Sequence, residues 1–118
     1  MGTGSYFGDL RNPKVMVQVG KPGDSGVLEI VDMLFTVKGA TAGAILMQWN
    51  VHECTQGSAG MWDAHFRVGG AAGSDLTVKE CPKLAYSEEV HCCLSPVPRV
   101  TSKASGYFEN VWVWTADQ

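Results

Sequence analysis

Apolar and polar residues alternate along this chain in short runs, each fenced by Gly, Pro, Asp or Ser. KVMVQVG (14–20) places Val15, Val17 and Val19 on one face of an extended strand. VLEIVDMLFTV (27–37) follows the turn KPGDSG, and GAILMQWNV (43–51) follows KGATA. GMWDAHFRVGG (60–70), DLTVKEC (75–81) and GYFENVWVWTA (106–116) continue the series. No window of about 11 or more residues carries clean apolar spacing at i, i+3 and i+4, so helices are not expected. The pattern predicts an all-β chain.

Three of these runs share one form. Ile30-Val31-Asp32-Met33-Leu34-Phe35-Thr36-Val37 aligns with Met61-Trp62-Asp63-Ala64-His65-Phe66-Arg67-Val68 and with Phe108-Glu109-Asn110-Val111-Trp112-Val113-Trp114-Thr115. Leu76 to Cys81 is a weaker copy. In each, the alternation slips by one residue at the Asp or Asn. A short polar side chain there can bend the chain and bond neighbouring backbone. The alignment predicts that Asp32, Asp63 and Asn110 occupy equivalent bends. Phe66 and Val68 should point inward, in line with Phe35, Val37 and Val113, with His65 and Arg67 facing out. Recurring bent strands suit a β-solenoid, whose coils stack on one another. Closely spaced strands with turns also suit a β-sandwich.

Composition narrows the function. With 118 residues the chain fits one domain. Its 14 glycines exceed the usual share of about 7%, and its 18% of charged residues falls below the usual quarter, as strands and tight turns require. The nine Lys and Arg are scattered and the net charge is −3, which argues against a nucleic-acid partner. No apolar run approaches the ~18 residues of a membrane span. The start MGTGSYFGDLRNP lacks the basic and apolar regions of a signal peptide, and Tyr6 stands where a myristoylation start needs Ser or Thr. The four cysteines, Cys54, Cys81, Cys92 and Cys93, form no C-x-x-C pair, so no metal site is expected. Cys81 is expected to lie near Cys92, less so Cys93, as a disulfide; buried free thiols are the alternative.

Specific words then add to the pattern. NPKVMVQVGKPGDSGVLEIVDMLFTVKGATAGAILMQWN, GSAGMWDAHFRVGGAAGSDLTVKECPK and GYFENVWVWTAD resemble the second half of fungal exo-β-1,3-glucanases of glycoside hydrolase family 55. The resemblance runs from about Phe7 to Asp117. It implies that residues 1–118 are a single fragment of a right-handed parallel β-helix of the pectate-lyase type. It also implies a secreted parent that hydrolyses β-1,3-glucan from the non-reducing end with inversion, in a cleft between two β-helices and without a cofactor. The first β-helix, a partner in that arrangement, is not in this chain, and the catalytic acid is expected beyond Asp117. Two departures stand out. Gln48 stands where many members carry an acidic residue. HCCLSPVPRVTS replaces an apolar strand, and Pro96 and Pro98 remove two ladder donors, so a degraded coil or an edge is expected there.

Inverting hydrolysis needs two carboxylates roughly 6.5–9.5 Å apart with a water between them. Glu53, Asp63, Glu109 and Asp117 are acidic, and spacing assigns none of them as the catalyst. Asp63 reads first as a bend residue, because Asp32 repeats its position without a site-like neighbourhood. Glu109 reads as solvated surface. For binding, sugar rings stack on indoles while their hydroxyls need polar partners. The candidate substrate-binding residues are therefore Gln48, Trp49, Asn50, His65, Arg67, Trp112, Trp114 and Asp117. The bland alternative for His65 and Arg67 is a solvated face. Trp112 and Trp114 share a face opposite Val111 and Val113, and exposed paired indoles meet a partner, either glucan or the other β-helix. The expectation is an inactive piece of a glucan hydrolase. A non-catalytic structural or glycan-binding fragment is the alternative.

Overall fold

The computed structural model describes residues 1–77 and 98–115. The expected Cys81–Cys92 bridge, Asp117 and Pro96 lie outside the described residues. Cys54 is described, and its thiol is free and exposed rather than buried.

The chain makes three passes of short strands. The first holds β1 (Lys14–Val15), β2 (Gln18–Val19), β3 (Ser25–Gly26), β4 (Leu28–Val31) and β5 (Leu34–Thr36). The second holds β6 (Ala44–Ile45), β7 (Gln48–Trp49), β8 (His52–Glu53), β9 (Ala59–Trp62) and β10 (His65–Val68). The third holds β11 (Arg99–Val100), β12 (Tyr107–Glu109) and β13 (Trp112–Thr115). Each strand pairs with its counterpart in the neighbouring pass, giving the sheets β1-β6, β2-β7-β11, β3-β8, β4-β9-β12 and β5-β10-β13. Every strand pairing among the described residues is parallel. The antiparallel pairs of a sandwich are therefore absent from the described residues. A single 3₁₀ turn, Ser5–Phe7, precedes the strands.

The register agrees with the octapeptide alignment. Phe66 pairs with Phe35 and Val113, and Met61 pairs with Ile30 and Phe108. Asp32, Asp63 and Asn110 have φ of 55°, 53° and 52°. The left-handed region costs a side-chain-bearing residue about 1–2 kcal/mol, least for Asp and Asn, whose short polar groups bond locally. Here the Asp32 N–H donates to Trp62 O, the Asp63 N–H donates to Glu109 O, and the Asn110 amide donates to Asp63 Oδ1. The bend resets the alternation, so Met61 and Ala64 on either side of it both face inward and are buried. The core runs through Val37, Leu46, Met47, Trp49, Met61, Phe66 and Val68.

The expected long strands are each two short strands. The breaks fall at Met16-Val17, Asp32-Met33, Leu46-Met47, Asp63-Ala64 and Asn110-Val111. A corner after every few residues redirects the chain from one short strand to the next, which a straight strand of about 7 to 11 residues could not do. Val19 is buried, Val17 is half-buried and packs against the same core, and Val15, on the other side of the break, is half-buried. Asp75 to Thr77, the described part of the weaker copy, forms no strand. Two strands lie outside the expected runs, Ser25–Gly26 in the KPGDSG turn and His52–Glu53 just after the 43–51 run, and they pair with each other. Arg99–Val100 directly follows Pro98 and forms the edge of its sheet, where a missing donor costs little.

Candidate functional site

The outward side of β10 and β13 gathers four of the eight candidate residues. His65 and Arg67 alternate with buried Phe66 and Val68, so their side chains leave the core. In-register pairing sets Trp112 beside His65 and Trp114 beside Arg67. The two indole centroids are 6.0 Å apart, His65 lies 5.4 Å from Trp114, and the Arg67 guanidinium carbon stands 5.3 Å over the same indole. Trp112 is half exposed, and its Nε1 donates to Asn110 Oδ1 at 2.6 Å. The bend asparagine thus bonds Asp63 through its amide nitrogen and orients Trp112 through its oxygen. The result is an aromatic ledge with a cation stacked on it.

Two donors in the ledge lack acceptors. Arg67 Nε and Trp114 Nε1 are shielded from solvent and make no hydrogen bond among the described residues. A buried donor without a partner costs about 1–3 kcal/mol, so the ledge carries unspent capacity to bond oxygen. Across the bend, Trp62 and Tyr107 have ring centroids 5.9 Å apart, and the Tyr107 hydroxyl donates to Glu109 Oε2 at 2.8 Å. That bond, with the Glu109 charge, raises the Tyr107 phenol above its usual value. Pattern reasoning missed Trp62 and Tyr107. The available signal was Gly60, which pairs with Tyr107 and leaves room for the Trp62 ring beside it.

The other candidates sit elsewhere. Trp49 is 1% exposed, and its Nε1 is shared between Val51 O and Ser105 O at 3.1 and 3.0 Å. Asn50 is equally buried; its amide donates to Gly20 O at 2.8 Å and its oxygen accepts from Gln48 and Thr101. The Gln48-Trp49-Asn50 word therefore ties the three passes together, with Trp49 and Asn50 buried and Gln48 half-buried. Alternation was a poor guide there because the Leu46-Met47 corner turns Trp49 inward.

Each acidic candidate that is described has a structural partner. Glu53 Oε2 accepts from the Gly57 N–H at 2.9 Å, Asp63 accepts from Asn110, and Glu109 accepts from Tyr107. No group of three or more His, Cys, Asp and Glu able to hold a metal ion occurs among the described residues.

No family model matches the chain. Curated relatives do match it. It is 46% identical over 119 residues to a glucan 1,3-beta-glucosidase of Cochliobolus carbonum, covering 99% of this chain and 15% of that protein. It is 44% identical over 126 residues to a probable glucan endo-1,3-beta-glucosidase of Arthroderma benhamiae, covering 99% of this chain and 14% of that one. The chain is related to glucan glucosidases. It is also 52% identical over 118 residues to the non-secreted LysM effector LysM15 of Penicillium expansum, covering 99% of this chain and 8% of that protein. The chain thus spans a small part of the length of each of these relatives.

Proposed function

We propose that this chain is a section of the second β-helix of a family 55 exo-β-1,3-glucanase, and that its ledge binds β-1,3-glucan. Three in-register parallel passes with stacked left-handed bends support a parallel β-helix. Right-handedness follows from the strong bias of parallel crossovers. The observation that carries the function is the ledge itself: Trp112, Trp114, His65 and Arg67 lie together on the outside of a chain related to glucan glucosidases. An indole presents a flat apolar face to sugar C–H groups, while Arg67 and His65 supply donors to hydroxyls.

In the parent, the reaction would be hydrolysis with inversion by two carboxylates and a water. Glu53, Asp63 and Glu109 are each engaged in a structural hydrogen bond, and the resemblance to family 55 puts the general acid beyond Asp117, so on this reading the fragment alone binds without turnover. Secretion of the parent goes with the same reading. The 52% identity to a LysM effector favours a second reading, in which the fold serves glycan binding in a non-catalytic protein.

The test is titration of the purified chain with laminarin-type soluble glucan, followed by tryptophan fluorescence and by glucose release. Binding should weaken about tenfold or more in Trp112→Ala, because stacking on an aromatic face is worth a kilocalorie or more per ring. Glucose release above a heat-killed control would overturn the non-catalytic behaviour of the fragment. Binding unchanged by Trp112→Ala would remove the ledge from the function.

A further inference from the structure

The three stacked bends are alike in backbone and differ in side chain. Asp32, Asp63 and Asn110 share nearly the same positive φ, yet the first two carry a carboxylate and the third an amide. A carboxylate only accepts hydrogen bonds, whereas an Asn side chain donates from one end and accepts at the other. Asn110 uses both ends: its amide nitrogen donates to Asp63 Oδ1, and its oxygen accepts from Trp112 Nε1 at 2.6 Å. Asp63 offers acceptors and the indole offers one donor, so a single orientation of the amide satisfies both neighbours. A carboxylate at 110 would face the carboxylate of Asp63 with no proton between them, and like charges at that range repel. The bond to the indole matters because the Trp112 ring is 52% exposed. The Trp112 backbone is fixed by its N–H donating to Ala64 O at 2.9 Å and by the register with His65. Those contacts place the Cα and leave the two side-chain torsions to be set by what the ring touches.

We propose that Asn110 is a positioning residue of the glucan-binding ledge: held by Asp63, it fixes the Trp112 indole in the orientation that stacks on a sugar ring. The proposal rests on the reading of the ledge as the glucan site. Asn110 acts through the indole, and Asp63 acts through Asn110, so the second pass aims a ring that the third pass presents. A ring held in place before the ligand arrives loses less freedom on binding, and affinity rises accordingly.

Three variants test it by two readouts: titration with laminarin-type glucan, and the Trp112 indole N–H resonance in the ligand-free chain. Asn110→Gly keeps the left-handed bend, which glycine adopts freely, and removes the side chain. It should weaken glucan binding about three- to tenfold and move the indole resonance toward that of a water-bonded N–H. Asn110→Asp keeps the side-chain shape, and Asp32 and Asp63 show that Asp accepts this backbone. It loses the donor to Asp63 and should weaken binding by a similar factor. Asp63→Asn added to Asn110→Asp puts a donor opposite an acceptor again, with the carboxylate now beside Trp112. Binding should then return to within about twofold of the parent, a rescue that general damage to the bend would not give. Parent-like binding in Asn110→Gly, an indole resonance that it leaves unmoved, or a double variant no better than Asn110→Asp overturns the proposal. Binding indifferent to Trp112→Ala removes the ledge, and with it the role of Asn110 in binding. The resonance in the ligand-free chain tells that failure apart, because it reports whether Asn110 holds the ring without any ligand present.

Discussion

Phe66 shows at the scale of one residue what holds the passes together. It has no exposed surface and stacks on Phe35 with centroids 4.9 Å apart and planes 15° from parallel. Truncating a buried Phe to Ala removes transfer energy and leaves a cavity, so Phe66→Ala should cost about 3–5 kcal/mol in urea unfolding. Arg67→Ala, one position on, should cost about 1 kcal/mol or less, because it removes one cation–indole contact from a half-buried side chain. Equal losses at the two positions would contradict the inward–outward assignment. Tyr107 offers a spectroscopic check on the outer surface. Its phenol is raised by the hydrogen bond from its hydroxyl to Glu109 and by that carboxylate's charge. A raised phenol favours the folded state below the unfolded value near 10, and this contribution is lost as pH rises through the folded value. Glu109→Gln removes the charge, so the phenolate absorbance of Tyr107 should appear at lower pH than in the parent chain. No change in that titration would mean the contact does not form in solution. Single residues were legible where a local rule applied. Asp32, Asp63 and Asn110 announced their bends through the slipped alternation. Trp49 did not announce its burial, because burial sums over neighbouring passes that no single window contains.

Elements were legible in type and broken in extent. The sequence runs marked where strands lie, and the aligned octapeptides carried the register between passes. They did not mark the corners at Met16-Val17 and Leu46-Met47, which have no Asp or Asn to signal them. Nor did they mark Ser25–Gly26 and His52–Glu53, where strands of two residues pair only because the passes on either side are already aligned. The candidate site divided in the same way. His65, Arg67, Trp112 and Trp114 could be grouped because they follow or flank a repeated bend, while Gln48, Trp49 and Asn50 were grouped by composition, and of these Trp49 and Asn50 are buried. Gly60 supports this account within β9. A Cβ there would stand 2.6 Å from Tyr107 O and 2.8 Å from the Trp62 ring. The carbonyl is fixed by the β9–β12 pairing, so the strands must part or the indole must leave. Gly60→Ala should therefore destabilise the chain by about 1–3 kcal/mol, the range for overpacking, despite its better intrinsic propensity. It should also shift the Trp62 emission. A neutral or stabilising Gly60→Ala, read by thermal unfolding, would show that the close approach of β12 is absent.

At the scale of the whole molecule, stability is distributed pass by pass. Strand contacts join each pass to its neighbours. The second pass is covered on both sides, and its Trp49, Met61 and Phe66 are buried. The first is covered by the second and by the N-terminal segment. Among the described residues the third is covered on one side, and its residues Val100, Phe108 and Val113 are exposed. Local opening costs least where few buried contacts break, so amide exchange should follow that order. β11, β12 and β13 should exchange first, β4 and β5 next, and β7, β9 and β10 last. Exchange monitored residue by residue decides this. Uniform protection across the three passes would mean that the chain opens as one cooperative unit, and that the open third-pass face is not a weak point.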